Sequence, residues 1–571
     1  MILLVQSEDN FNNKNNKPKS FIKKNLNSII FLFLLTIIVS VITYYRILVQ
    51  IDIGPVFDSF VFLSNALVFT GHGTGYSDLL IPPFFPFIIS LIFRLGYVSA
   101  NVIFIVDGIL FVFGVIGLYM LLKLKFNDLE SFLGGLLYAT FPIVLTYLGF
   151  GFSDLASISF SIWAIYFMIL AVKKDSRFFY LAFPFAMFAF LTRYNLGLLI
   201  FPIFLYILMN RDKINIKNFF TGIMVSFIVI LPVFIFFYEK FGNIIYPFIN
   251  FESSSTGVSV STISASYNSN IFYFLQMFPA YIGIQTFNII LIMVLASVLF
   301  LFSRYILNGQ YKNLFNNLRL KKASKIKWLL FVIIGILFIA SFGKTVYIVS
   351  EIIFFVLSYQ FYDLIRNRIK SIDFHIMFLS WFMVFFIFSS VFVIKDDRYF
   401  LLMAPPVSYF MILVLSKISN TVNFKVRNIN VVFPVIAIIL TSIILLSAVN
   451  EIPNILHANN GEIIANQQIE MASQWFSNYD PNYKNQNIYS DLSPNFSWYL
   501  KINVKQVPVF KNNQTFINVN NNSFTQQDSN QFNNYLVTNN ADYYLCIRQG
   551  LKLTSYIPIK QFGSVIIYKR E

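Results

Sequence analysis

The feature that most constrains this chain is a series of long apolar runs separated by short segments rich in Lys and Arg. A helix crosses the hydrocarbon core of a bilayer with about 20 apolar residues, and fewer suffice inside a helical bundle. Only 12% of the residues are charged, whereas soluble domains have about 25%. The sequence therefore predicts a polytopic α-helical membrane protein with about 13 transmembrane helices.

The predicted spans lie at about 28–48, 100–122, 129–148, 155–172, 178–192, 195–209, 218–238, 282–303, 328–343, 347–365, 374–394, 399–416 and 431–449. Basic clusters follow alternate spans, for example Lys123 with Lys125 and the segment Arg304–Lys327. Cytoplasmic loops are enriched in Lys and Arg, so we place these clusters and the N-terminus inside and the C-terminus outside. The formal charge of +16 is then a topology signal and does not indicate nucleic-acid binding.

The apolar segment 82–96, PPFFPFIISLIFRLG, is short and interrupted by proline. If it crossed the membrane, every later basic cluster would lie outside. We therefore predict that it is a re-entrant or interfacial helix on the outer side, together with a second short helix at Phe57–Thr70.

The predicted domains are a cytosolic basic tail (1–27), a transmembrane domain (28–449) with an outer loop at 50–99, and an extracytoplasmic domain (450–571). The last segment is polar and contains strand-like pieces, such as DYYLCI and SVIIYK, and a helical piece, MASQWFS. About 120 residues suffice for a small domain, which we predict to be mixed α/β. Cys546 is the only cysteine, which excludes an intrachain disulfide framework.

With this topology, several charged residues meet on the outer face. They are Asp58 in the first loop, Asp154 before span 4, the pair Arg193-Tyr194, and the pair Arg398-Tyr399. Carboxylates can activate a hydroxyl or hold a cation, and arginine binds phosphate through two parallel hydrogen bonds. The set suits a phosphate-bearing lipid. The sequence identifies no cofactor and leaves a divalent metal ion open.

Each of these residues also has a structural interpretation. Asp58 and Asp154 could cap the helices that follow them, and the two arginines could be interfacial anchors. We interpret Asp396-Asp397 as a solvated turn that pairs with Lys395 and Arg398. Asp107, inside span 2, should face the bundle and find a structural partner.

The order of landmarks resembles the GT-C glycosyltransferases of the protein-O-mannosyltransferase and aminoarabinose-transferase type. The landmarks are VFDSFVFLSNAL, PPFFPFI, Asp154, FAFLTRYNLGLLIFP, LPVFIFFYEKFGNIIYP and DDRYFLLMAPP. The resemblance implies a GT-C-like fold. It also implies inverting transfer of a sugar, a hexose such as mannose, from a polyprenyl- or dolichyl-phosphate carrier to a hydroxyl on the outer face. The acceptor would be a protein, a glycolipid or a glycan.

By position, the resemblance makes Asp58 the first-loop catalytic acidic residue, a general base towards the acceptor hydroxyl, and Asp154 the second-loop acidic residue. Arg193 and Arg398, with the tyrosines that follow them, are candidate contacts to the donor phosphate. The first loop departs from the family's common form, because Ser59 follows Asp58 where a second acidic residue often stands. This departure puts metal coordination there in doubt.

Two other interpretations remain open. A multispan transporter or flippase of lipid-linked sugars would also hold charges within a bundle, although it would place them along a path near the midplane. A non-catalytic scaffold with the same fold is the third.

Overall fold

The computed structural model describes residues 21–571, except 57, 72–78, 251–269, 308–321, 370, 393–394, 423, 427–428, 513 and 517–522. Most of the predicted basic tail, His72, Asp78, Glu252 and much of the basic segment 304–327 lie outside the described residues.

The described helices are α1 (Phe21–Ile53), α2 (Asp58–Thr70), α3 (Phe84–Arg94), α4 (Asn101–Leu122), α5 (Asp128–Thr140), α6 (Pro142–Tyr147), α7 (Ser153–Lys173), α8 (Phe179–Thr192), α9 (Ile200–Met209), α10 (Ile216–Phe241), α11 (Tyr273–Gln276), α12 (Phe278–Ile282), α13 (Ile284–Leu307), α14 (Lys322–Ser341), α15 (Tyr347–Ile365), α16 (Ile372–Val391), α17 (Ala404–Val422), α18 (Val432–Ala458), α19 (Asn460–Tyr479), α20 (Ser493–Leu500) and α21 (Gln526–Thr538). Short 3₁₀ segments lie at Ser176–Phe178, Tyr194–Leu199, Arg211–Lys213, Asp397–Met403 and Tyr483–Asn485.

Eight helices of the described chain are long and apolar enough to cross a membrane, and several shorter apolar helices accompany them. The predicted polytopic helical architecture is confirmed, while the count of 13 crossings and the direction of the termini stay predictions. The predicted span at 129–148 is divided into α5 and α6. Pro142 explains the division, because a residue before proline avoids the helical region and Phe141 is accordingly extended, with ψ 131°.

Helix α7 is the centre of the bundle. Its most apolar stretch is entirely buried, and it packs against α4 on one side and α8 on the other. Helix α10 is equally apolar but mostly exposed, with outward-facing residues such as Phe220, Met224 and Ile228. A helix that is apolar and exposed needs an apolar solvent, so α10 forms part of the lipid-facing perimeter.

The two predicted short helices of the first outer loop are present as α2 and α3. They pack against each other, with the rings of Phe62 and Phe85 edge to face at 5.4 Å between centroids. The guanidinium of Arg94 donates a 2.7 Å hydrogen bond to the carbonyl of Phe69, which joins the ends of the two helices.

The C-terminal segment forms a mixed sheet with flanking helices, as predicted. Strands β1 (Lys425–Val426) and β2 (Ile429–Asn430) form a separate antiparallel pair between α17 and α18. The strands of the C-terminal segment are β3 (Ile488–Ser490), β4 (Lys505–Gln506), β5 (Val509–Lys511), β6 (Gln514–Phe516), β7 (Tyr543–Cys546), β8 (Tyr556–Phe562) and β9 (Val565–Arg570). The main sheet has the order β4-β3-β7-β9-β8. Strand β3 is parallel to β4 and β7, whereas β9 is antiparallel to β7 and β8.

This domain also contacts the segment that leads into α2 and α2 itself. The side-chain amide of Asn466 on α19 donates to the carbonyls of Ile53 (3.2 Å) and Pro55 (2.9 Å). The ring of Tyr499 on α20 lies 6.0 Å from that of Phe60 on α2. These contacts fix the direction in which the chain enters α2, the helix that begins at Asp58.

Candidate active site

Asp58 is held by an arginine from the far end of the sequence. Its Oδ2 accepts a 2.7 Å hydrogen bond from Nη1 of Arg398, across 340 positions of sequence. The Asp58 side chain remains 48% exposed. Its carboxylate is therefore paired with Arg398 and still reachable from solvent.

Asp154 occupies a different environment. It lies in the first turn of α7, whose N-cap position is Phe152, so the alternative of Asp154 as the capping residue is wrong. Its Oδ1 lies 2.5 Å from Nη1 of Arg193, and its side chain is only 2% exposed. The pair is a buried ion pair at the start of the central helix.

Tyr399 connects the two ion pairs. The Arg193 guanidinium lies 5.5 Å from the centroid of the buried Tyr399 ring, and that of Arg398 lies 6.0 Å from the same centroid. Phe152 supplies a second ring face to Arg398 at 5.4 Å. Cations over aromatic faces are attracted by the ring quadrupole, so the aromatic rings help to fix both guanidinium groups.

Five of the six predicted site residues thus meet in one cluster: Asp58, Asp154, Arg193, Arg398 and Tyr399. Tyr194 instead packs its ring against Phe190 and Phe248, with centroids 5.5 Å and 5.1 Å apart. It lines an aromatic cavity of about 210 Å³. Its role as a phosphate contact stays a prediction.

The interpretation of Asp396-Asp397 as a turn that pairs with Lys395 and Arg398 holds in part, because Asp396 contacts Arg398 whereas Lys395 binds backbone carbonyls. Oδ2 of Asp396 lies 2.9 Å from Nε of Arg398, and its Oδ1 accepts a hydrogen bond from the Tyr147 hydroxyl at 3.2 Å. Asp396 is therefore a further carboxylate of the cluster. The sequence signal was present in the DDRY motif, but the tyrosine that holds Asp396 is 249 positions away.

Asp397 and Lys395 have partners of their own. Oδ1 of Asp397 accepts hydrogen bonds from the hydroxyls of Tyr273 (2.7 Å) and Tyr281 (2.5 Å). Burial and the Asp397 carboxylate raise the pKa of Tyr273, so it remains a proton donor. Lys395 is buried, and its ammonium donates to the carbonyls at the end of α16. Burial lowers the Lys395 pKa to about 8.

Two buried ionisable side chains, Arg46 and Asp107, hold the backbone that leads to Asp154. Neither was predicted to belong to the site. Arg46, fully buried in α1, donates to the carbonyls of Leu145 (2.9 Å) and Thr146 (3.0 Å) at the end of α6. Asp107, also fully buried, accepts a hydrogen bond from the Gly149 amide at 3.0 Å. The expected partner of Asp107 is thus this backbone amide.

Glycine is required at two positions of the same loop. Gly149 and Gly151 both have φ of +76°, a region that residues with a Cβ avoid. A Cβ on Gly151 would also lie 2.9 Å from the side chain of Ile103. The GFGFSD sequence therefore makes the reversal that places Asp154 at the N-terminal end of α7.

Ser59 takes no part in the charged cluster. Its hydroxyl donates a 2.7 Å hydrogen bond to the carbonyl of Phe150 and is fully buried. The position where related first loops often have a second acidic residue therefore serves here to join the first loop to the Asp154 loop.

The cluster contains three carboxylates (Asp58, Asp154, Asp396) and two guanidinium groups (Arg193, Arg398), so it has one excess negative charge when all are ionised. Within the described ranges, no group of three or more His, Cys, Asp and Glu side chains is arranged to hold a metal ion. An incoming phosphate would have to compete with a carboxylate for an arginine.

Comparison with known proteins finds a family match for part of the chain and structures of similar fold for almost all of it. Residues 81–236 match the family described as dolichyl-phosphate-mannose-protein mannosyltransferase. The fold is similar to crystal structures of ArnT from Cupriavidus metallidurans. The match is at 12% identity and TM-score 0.55 with undecaprenyl phosphate bound, and at 11% and 0.53 in the apo state. Each covers 94% of this chain and 97% of that one. The archaeal oligosaccharyltransferase AglB from Archaeoglobus fulgidus matches at 12% identity and TM-score 0.48, over 92% and 70% of the two chains. No curated protein matches the sequence.

These findings confirm the predicted GT-C-like fold. Almost the whole chain is similar in fold to ArnT, and about a quarter of it matches the mannosyltransferase family model. The matched stretch includes Asp154 and Arg193, whereas Asp58 and Arg398 lie outside it.

Proposed function

We propose that this chain, whose fold is that of a GT-C glycosyltransferase, transfers a hexose such as mannose from a polyprenyl- or dolichyl-phosphate carrier to an acceptor hydroxyl on the outer face. The observation that supports the proposal is the joint cluster of Asp58 with Arg398 and Asp154 with Arg193. A transporter of lipid-linked sugars would need its charges along a path near the midplane, whereas these side chains lie at helix ends beside the loop that holds α2 and α3.

The base in this proposal is Asp58. It is the only carboxylate of the cluster that is about half exposed, and an acceptor hydroxyl can therefore reach it. The hydroxyl gives its proton to Asp58 as its oxygen forms a bond to the anomeric carbon. The bond between that carbon and the phosphate oxygen breaks, and the lipid phosphate leaves with the electron pair. Attack from the face opposite the phosphate inverts the anomeric configuration.

The arginines bind the phosphate in this scheme. Arg398 is bound to Asp58 and Asp396 in the structure, so a phosphate must replace one of these carboxylates. Asp58 is the more exposed of the two. Phosphate binding to Arg398 would release Asp58 as a free carboxylate, and the donor would activate the base before the acceptor arrives. Fixed positive groups facing a leaving phosphate stabilise the charge that develops there.

A divalent metal ion remains compatible with this proposal and would supply further charge neutralisation of the phosphate. The negative excess of the cluster is the local feature that would favour a cation. The acceptor is proposed to be a hydroxyl of a protein, a glycolipid or a glycan.

The test is transfer of labelled mannose from polyprenyl-phosphate mannose to a Ser/Thr peptide by the purified protein. Loss of a general base costs about 10²- to 10⁴-fold in rate, so Asp58→Asn should lose transfer by that factor while the melting temperature stays near wild type. Asp52→Asn is the matched control, because Asp52 is an exposed aspartate at the end of α1.

Wild-type turnover in Asp58→Asn would contradict the mechanism. Movement of intact labelled donor across a proteoliposome membrane, without cleavage of its phosphate bond, would instead favour the transporter. The anomeric configuration of the product tests inversion directly.

A further inference from the structure

A sizeable cavity lies away from the candidate active site. It has a volume of about 660 Å³ and is lined by α13, α16, α17 and the segments that follow α4 and α15. That volume falls within the range of small-molecule sites. Arg398 lies in the 3₁₀ segment before α17, and Lys417 lies near the C-terminal end of α17. The candidate active site and this cavity are therefore roughly 30 Å apart by helix rise.

Three basic side chains from separate parts of the chain face this cavity. They are Lys125 after α4, Arg368 after α15, and Lys417 on α17. His375, Ser297 and Thr421 supply further polar groups. Every described residue that lines the cavity is neutral or basic, so the site is suited to an anion.

The remaining wall is apolar and reaches the lipid-facing surface. Val294 and Val298 of α13 and Leu413 of α17 line the cavity. Val298 is 55% exposed, and its neighbours Leu295 and Leu299 on α13 are also exposed. A ligand in this cavity therefore has cations at one end and continuous access to acyl chains at the other.

We propose that this cavity binds the anionic headgroup of a membrane phospholipid, on the side of the bundle where the Lys and Arg clusters lie. Arginine and lysine recognise lipid phosphate by charge and hydrogen bonding. Basic pockets between transmembrane helices are known to suit anionic headgroups. The apolar opening onto α13 favours a lipid over a soluble phosphate. This site is independent of sugar transfer and does not rest on the proposed active site.

The experiment measures lipid binding by the purified full-length protein in detergent, using native mass spectrometry and thermal melting. Phosphatidylglycerol should bind and raise the melting temperature, whereas phosphatidylcholine should do neither. Each basic residue near an anionic lipid is worth about 1 kcal/mol, or about fivefold in affinity. The triple variant Lys125→Gln, Arg368→Gln, Lys417→Gln should therefore bind phosphatidylglycerol about a hundredfold more weakly.

The matched control removes the same charge elsewhere. Arg211, Lys213 and Lys217 are exposed in and after the segment between α9 and α10, outside the cavity. The triple variant Arg211→Gln, Lys213→Gln, Lys217→Gln should bind phosphatidylglycerol as the wild type does. If the cavity triple variant does not fold, the single changes Arg368→Gln and Lys417→Gln, both at exposed side chains, should each weaken binding about fivefold.

Three results would overturn the proposal. The first is equal binding of phosphatidylglycerol and phosphatidylcholine, and the second is equal loss of binding in the cavity and control triple variants. The third is a melting shift with inorganic phosphate as large as that with phosphatidylglycerol, which would identify a soluble phosphate ligand.

Discussion

The two ion pairs of the candidate active site have the same chemistry and opposite environments. Asp58 with Arg398 is open, since Asp58 is 48% exposed, whereas Asp154 with Arg193 is closed, since Asp154 is 2% exposed. Separating a buried ion pair leaves an uncompensated charge and is strongly unfavourable. Separating an exposed pair costs little. The open pair can therefore exchange partners during a reaction, and the closed pair is suited to hold the geometry.

The largest expected effect would break the closed pair. Asp154→Leu leaves Arg193 buried without its partner and should destabilise the protein by about 3–5 kcal/mol, measured by thermal or denaturant unfolding in detergent. The double variant Asp154→Leu, Arg193→Met removes both charges and should regain most of that stability. Asp58→Asn, at the open pair, should change stability by about 1 kcal/mol or less.

These variants separate stability from chemistry. If Asp154 acts only by holding the structure, the folded double variant will transfer sugar. We expect it to be inactive, because Arg193 is also a proposed phosphate contact. Equal destabilisation by Asp154→Leu and Asp58→Asn would show that the different exposure of the two ion pairs does not affect their contribution to the free energy of unfolding.

A second prediction concerns the open pair alone. Arg398→Lys keeps the charge but loses the planar group that contacts two carboxylates and two rings. A hydrogen bond to a charged group is worth about 1.5–3 kcal/mol, so kcat/KM for the donor should fall about 10- to 100-fold, mainly through KM.

Arg94→Lys is the matched control for this change. Arg94 lies at the end of α3 and donates to the Phe69 carbonyl, outside the cluster. Its replacement should leave donor kinetics unchanged. A fall of the same size in both variants would trace the effect to the packing of α2 and α3 rather than to phosphate binding.

The smallest expected effect concerns the contact between the loops of the two pairs. Ser59→Ala removes the hydrogen bond to the Phe150 carbonyl and should cost about 1 kcal/mol. Ser59→Asp restores the second acidic residue of related first loops. The new carboxylate would face the Phe150 carbonyl oxygen in a buried position, so Ser59→Asp should reduce the free energy of unfolding by more than Ser59→Ala does. Unfolding measurements on both variants test the order, and a stabilised, more active Ser59→Asp would contradict it.

Some features followed from the sequence because their causes are local or additive. Apolar runs, prolines and basic clusters predicted the helical membrane architecture and the short helices α2 and α3, since burial of apolar surface in a bilayer depends on composition. Residue type and order also identified Asp58, Asp154, Arg193 and Arg398 as candidates. Their membership in one site was a hypothesis that depended on topology alone.

Only the tertiary structure showed which charged side chains form ion pairs with each other. Asp58 and Arg398 are 340 positions apart, and an ion pair leaves no periodic signal in a sequence. The same reason explains why the sequence did not reveal the contact of Asp396 with Tyr147, which lies in another helix, or the hydrogen bonds of Arg46 to the end of α6. The sequence by itself determined that the chain lies in a membrane and where most of its helices are, because both depend on the composition of each segment separately. Only the structure showed which carboxylate pairs with which arginine and which of the two pairs is exposed, because both depend on how distant segments pack.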